Sequence, residues 1–300
     1  MTTASDEKQR RDVGRRTLDD RDLRELEFVA YSTTARVDQL AQLSAPGLSP
    51  AIDDEPRKRL KKGEPKPPPK PRGGVRPNWP MGRYARVHAQ MQIVNHWIDL
   101  GYAEKLRPNR DHPLWVVVTR EGLRRIGAPY DDVPFPEGNL EHMYLINEVR
   151  LFLLQSTKMP KHTWTSEREL QKNEPLKYAG LHVGHRADGV MTVEVDTEFT
   201  RGNETIILEG GEQIAIEVER TRKDFKGIET TIFPDLLKTY QRVWYFCNPG
   251  PYDAISKSRA KLPPEQQQRI LVYKLRPHWW DWKHPQQKEE PDGISATTDR

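Results

Sequence analysis

Cysteine is nearly missing. Cys247 is the only one in 300 residues, so no internal disulfide framework can form and the chain suits a reducing compartment. Also missing is any apolar run approaching the roughly 18 to 20 residues of a membrane span, and the polar start MTTASDEKQRRD lacks a secretory pattern. A soluble, cytoplasmic protein without membrane contact is expected. Charge of one sign does not dominate either: 48 Lys and Arg face 44 Asp and Glu, a formal net charge of +4, so an anionic partner must be met by local patches. No internal repeat occurs.

Proline, by contrast, is plentiful and concentrated. Between Ser44 and Pro80 the stretch RKRLKKGEPKPPPKPRGG mixes basic residues with prolines that exclude helix and sheet alike. It reads as an extended basic loop. Arg57, Lys58, Arg59, Lys61 and Lys62 suit it to a phosphate backbone or a minor groove, with salt-sensitive, sequence-blind affinity, and a solubilising linker is the equal alternative. A second proline-rich stretch, APYDDVPFPEGN, is the best domain boundary. The expected organisation is a disordered tail at 1–17, a first domain at 18–128 carrying the insertion at 44–80, a linker at 129–139, a second domain at 140–283 and a disordered tail at 284–300.

In the first domain Leu23, Leu26 and Ala30 recur at helical spacing, and Thr33 or Thr34 can cap a second helix turning Val37, Leu40 and Leu43 inward. Tyr84, Val87, Met91, Val94 and Ile98 predict a third helix ending near Gly101. Its outer face would show Arg83, Arg86 and Gln90, where arginine can meet phosphate or guanine and glutamine can meet adenine. YAEKLRPNRDHPLWVVVTREGLRRIG then reads as strand, charged turn, strand and a helix capped by Thr119 and stopped at Gly127. Three helices and a two-stranded wing predict a winged helix over about 18–128, and the pattern resembles the winged helix-turn-helix of many bacterial DNA-binding proteins.

From His142 the order is helix (HMYLINEVRLFLLQS), strands at WTSEREL, HRADGVMTV and QIAIEVER, a long helix from about Asp224 to Gln241, then strands at VWYFCN and RILVYKL. The fold class is α/β (α+β), with the second domain α-β-β-β-α-β plus one further strand. In QIAIEVER the alternation turns Ile214, Ile216 and Val218 to one face and Ala215, Glu217 and Glu219 to the other. If HRADGVM pairs with it, Asp188 approaches Glu217, and two adjoining carboxylates repel unless a cation lies between them. Hard oxygens favour Mg²⁺ or Mn²⁺, held by Asp188 and Glu217, which would activate a water against a phosphate. The competing reading is a half-solvated sheet with its glutamates in water, and an Asp-Gly that merely marks a bend.

Three further candidates are weaker. His182 and His185 form an H-x-x-H without the second ligand pair that zinc requires. Ser166 has no nucleophile-elbow pattern around it. Trp279, Trp280 and Trp282 are expected to cover the sheet edge after RILVYKL, with stacking on unpaired bases as the alternative.

The acid-Gly at Asp188 followed by Glu-x-Glu-Arg-x-x-Lys, in this order of elements, resembles the PD-(D/E)XK nuclease-like superfamily. With WTSEREL, HRADGVM, IAIEVERTRKDF and VWYFCN behind a winged helix, the span from about Leu23 to Leu275 resembles the replication-relaxation proteins of actinobacterial plasmids and integrative elements. That resemblance implies a restriction-endonuclease-like domain, double-stranded DNA and a relaxase or replication initiator as partners, and Mg²⁺- or Mn²⁺-dependent cleavage or nicking of a DNA phosphodiester. Asp188 matches the motif's first acid and Glu217 its second. Glu219 stands where the motif has lysine and would orient or deprotonate the water, with Lys223 or Arg220 supplying positive charge. Glu148, on the preceding helix, is where some relatives contribute an extra acid; a solvent-facing glutamate is the alternative. Degenerate relatives that only bind DNA imply a second reading, a non-catalytic accessory factor, and a transcriptional regulator acting through the winged helix is a third.

Overall fold

The computed structural model describes residues 17–44, 81–108, 112–131, 135–156, 159–173, 185–201, 204–221 and 224–275. The basic stretch with Arg57, Lys58, Arg59, Lys61 and Lys62, the residues His182 and Lys223, the Trp279 to Trp282 cluster and both tails beyond residues 17 and 275 lie outside the described residues.

The first helix, α1 (Asp20–Tyr31), starts at a reciprocal cap: Asp19 accepts the Asp22 N–H at 2.9 Å and Asp22 accepts the Asp19 N–H at 3.0 Å. A two-residue strand, β1 (Ala35–Arg36), separates it from α2 (Val37–Leu43). Thr34 therefore does not cap α2 as the sequence suggested; its hydroxyl donates to Val116 O at 2.9 Å, and the Gln39 side chain caps back onto Arg36 N at 3.2 Å. Next come α3 (Met81–Asp99), β2 (Ala103–Leu106), β3 (Trp115–Val118) and α4 (Arg120–Arg125), with an antiparallel sheet in the order β1-β3-β2. The helix ends fall where the glycines predicted: Gly101 and Gly127 follow α3 and α4 with φ of 79° and 67°, which only glycine adopts without strain.

The second half runs α5 (Leu140–Gln155), β4 (His162–Ser166), α6 (Glu167–Asn173), β5 (Gly189–Val193), β6 (Thr197–Arg201), β7 (Glu204–Leu208) and β8 (Gln213–Glu219). A helical run of α7 (Phe225–Gly227), a π turn (Ile228–Ile232) and α8 (Phe233–Thr239) leads to β9 (Arg242–Cys247), α9 (Pro249–Arg259), α10 (Pro264–Arg269) and β10 (Ile270–Lys274). One mixed sheet in the order β10-β9-β8-β5-β4 results, with β8, β9 and β10 parallel and β5 antiparallel to both neighbours. Mixed α and β structure is thus present as expected. WTSEREL departs from a pure strand because Ser166 and Glu169 form a cap, Ser166 N donating to Glu169 at 2.8 Å, and EREL turns helical. The hairpin β6–β7 and the helices α9 and α10 are additions; parallel β9 and β10 need a crossover between them.

Helices cover both faces of this sheet. Ile214, Ile216 and Val218 pack with Leu145, Val149 and Phe152 of α5, and the β6–β7 hairpin adds Phe199, Ile206 and Leu208 to that side. Ala215 and Val190 pack instead with Phe233, Leu236, Tyr245 and Ile255 on the opposite side. β8 is consequently buried on both faces, which overturns the half-solvated sheet. The two halves of the chain also share core: Leu151 of α5 belongs to the first half's cluster, and Trp115 of β3 to the second half's.

Candidate functional site

Asp188 precedes β5 directly, and the pairing of Gly189 with Ile216 brings it level with Glu217 on the neighbouring strand. Asp188 lies in a bend, as the Asp-Gly pair suggested, and Gly189 is the first residue of the strand. A Cβ there would lie 2.2 Å from Trp164 Cζ2, so glycine lets the indole cross the strand on the side away from Asp188. Asp188 Oδ2 accepts the Val218 N–H at 2.7 Å, and Oδ1 lies 3.0 Å from His142 Nε2 at the start of α5. Glu217 Oε2 lies 2.8 Å from His185 Nε2.

Burial sets the electrostatics here. Glu217 and Glu219 are 2% and 4% exposed, and both face the parallel neighbour β9, opposite Tyr245 and Cys247. Burial pushes the Tyr245 phenol well above its ordinary range, and the charges of Glu217, Glu219 and Asp188 push it further, so all three acids act on one locale. For His142 burial works downward, but the Asp188 hydrogen bond and the charges of Asp188, Glu167 and Glu219 outweigh it and raise its pKa. Arg220, just past β8, pairs with Glu141 at 2.9 Å, next to His142 in sequence. Among the described residues no group of three or more His, Cys, Asp or Glu side chains is disposed as a metal cage.

The other expected residues fare differently. Gln90 is not on an outer face: it is 1% exposed, its amide donating to Glu25 at 2.5 Å and accepting from Arg21 at 2.9 Å. The inward stripe of α3 is centred on Gln90, Val94 and Trp97, because the buried acids of α1 draw polar partners in, Trp97 donating to Asp22 at 3.1 Å. Arg86 is exposed, as expected, and Arg83 lies on α3 with its side chain outside the described set. Glu148 is not solvent-facing; it is 0% exposed and accepts from Gln39 of α2 at 2.9 Å. Ser166 serves as the cap of α6.

Sequence reading singled out His185 only for its H-x-x-H and passed over His142, and nothing in their spacing ties them to acids 46 and 32 residues away. No described helix is long and apolar enough to cross a membrane. No family model matches the chain, and no curated protein or solved structure matches it.

Proposed function

We propose that this chain is a double-stranded-DNA-binding protein whose second half is a PD-(D/E)XK-like domain for metal-dependent phosphodiester cleavage, docked on the duplex by a winged helix in its first half. The observation that carries the reading is the juxtaposition of Asp188 and Glu217 at adjoining positions of two paired strands. With α6 and the β6–β7 hairpin set aside as insertions, the succession α5, β4, β5, β8, α7 to α8, β9 supports it, since it follows the α-β-β-β-α-β order, as does the β1-β3-β2 sheet with α1, α2 and α3 for the first half.

The donor chemistry fits a hard divalent ion. Asp188 and Glu217 would hold Mg²⁺ or Mn²⁺, because carboxylate oxygens are the donors these ions prefer. Such an ion, when bound, acidifies a coordinated water and polarises a phosphate oxygen. His142 and His185 keep both carboxylates oriented, and the Val218 N–H fixes the second oxygen of Asp188. Glu219 is the base candidate that orients the water, and Arg220 or Lys223 would balance charge gathering on phosphorus. Arg83, Arg86 and the basic run Arg57 to Lys62 would grip the phosphate backbone. The sequence resemblance makes a relaxase or replication initiator of a plasmid or mobile element the protein partner.

Incubation of the pure protein with supercoiled plasmid and Mg²⁺ or Mn²⁺ tests the cleavage step. Nicking is expected, lost in Asp188→Asn and in Glu217→Gln while duplex affinity stays within about twofold of wild type. A second reading, a non-catalytic accessory factor for a relaxase or replication initiator, is favoured by one observation: Glu219, buried, stands where the motif carries lysine. Intact duplex binding without any nicking would select it.

A further inference from the structure

Where α1 passes α5 and the β4–α6 corner, a cleft of about 560 Å³ opens between the two halves of the chain, within the roughly 300 to 1,000 Å³ range of small-ligand sites. Arg150 of α5 lines it. The guanidinium sits 4.5 Å from the ring centroid of Phe28 and 6.0 Å from that of Trp164. Its Nη1 donates to Ser32 Oγ at 3.1 Å and, weakly, to Phe28 O at 3.5 Å, while the buried Nε has no hydrogen-bond partner among the described residues. None of the ion pairs among the described residues includes Arg150.

Two of the acids on the walls are already engaged. Glu25 accepts from Arg21, Gln90 and Ser44, and Glu169 from the Ser166 backbone and hydroxyl. Glu27 and Arg24, both exposed, complete the charged rim. Burial pulls the Arg150 pKa down to about 10, with Glu169 and Glu27 opposing that from a distance. A half-buried cation without an adjacent anion among the described residues is costly, and a ligand that brings the anion relieves it. Beside that cation stands an aromatic plane, Trp164, of the kind bases stack on.

We propose that this cleft binds a nucleotide, its phosphate between Arg150 and Arg24 and its base against Trp164. The same chemistry is offered by a free nucleoside phosphate and by the terminal nucleotide of a single strand. Trp164 packs on the α5 side of the sheet whereas Glu217 faces the Tyr245 side, so the cleft is separate from the carboxylate site and does not rest on its chemistry.

Calorimetric titration of the full chain with dAMP, and separately with a 5′-phosphorylated oligodeoxyadenylate, provides the test. Saturable binding of at least one ligand is expected, and the tighter of the two identifies the source. Arg24→Glu, an exposed change that should leave the melting temperature unaltered, and Trp164→Leu should each weaken binding by about tenfold or more. Arg150→Gln should remove it, and Asp188→Asn should leave it unchanged. Absence of heat from either ligand at millimolar concentration overturns the proposal. So does wild-type affinity in both Arg24→Glu and Trp164→Leu, or loss of binding in Asp188→Asn.

Discussion

A methyl group on Gly189 would meet the Trp164 indole at 2.2 and 2.5 Å, so Gly189→Ala must push the ring out of its packing. Overpacking of this kind costs about 1 to 3 kcal/mol. The urea midpoint of Gly189→Ala should fall accordingly, and Trp164→Leu should recover most of the loss; equal midpoints in both backgrounds would contradict the contact. Gln90 makes the complementary case. Its amide satisfies the buried Glu25, so Gln90→Ala should lower stability by about 1 to 3 kcal/mol while leaving the sequence preference of the proposed DNA binding untouched, the reverse of what an adenine-reading side chain would do. Alternation along QIAIEVER put Glu217 and Glu219 on a common face, and that much was legible. Their burial was not, because Tyr245 and Cys247 of β9, which pair beside them, and the helices packed on that side of the sheet lie outside the strand's own sequence. The same limit hid His142, a helix residue whose partner is set only by how α5 crosses the sheet.

Element boundaries were readable where a local hydrogen bond or a special φ fixes them, as at Thr119, Gly101 and Gly127. They failed where signals were short. Ser166-x-x-Glu169 is a cap inside what looked like strand, Gly202-Asn203 between alternating runs is a hairpin signal, and Pro249 and Pro264 sit at helix starts. The long helix predicted over 224 to 241 illustrates the subtler case: its period is interrupted by the π turn Ile228–Ile232. Glu229 within that turn accepts from Lys261 at 2.7 Å and from Ser258 at 3.0 Å, tying it to α9 and the turn that follows. The Lys261 and Ser258 hydrogen bonds hold the Glu229 pKa below its ordinary value, Lys261 contributing most. A depressed carboxylate stabilises the fold above its unfolded pKa of about 4.3, and the benefit disappears as pH falls through the lower folded value. Glu229→Gln should therefore melt below wild type at pH near 7, with the gap closing in acid. A gap that is constant across that range would exclude the ion pair as its cause.

At the scale of the molecule, α5 belongs to two cores. Leu145, Val149 and Phe152 complete the sheet domain, whereas Leu151, 0% exposed, completes the first half. Polar contacts reinforce the junction: Gln39 donates to Glu148 and to Tyr144 O at 2.9 Å each, Asn147 to Thr34 O at 2.9 Å, and Gln155 to Gln42 O at 2.7 Å. Arg36 lies over the Tyr144 ring at 4.3 Å. Halves joined only by a linker would open independently, but halves that share a helix and its hydrogen bonds should unfold together. Leu151→Ala separates the two cases. It should cost about 2 to 5 kcal/mol through the cavity it leaves, and native-state hydrogen exchange should show the amides of α1 and of β9 losing protection by the same amount. If α1 loosens while β9 keeps its wild-type protection, the halves are mechanically separate. Equal loss would mean that the spacing between α3 and Asp188 is fixed by the fold, so a duplex docked on the first half as proposed would meet the carboxylates at one set distance.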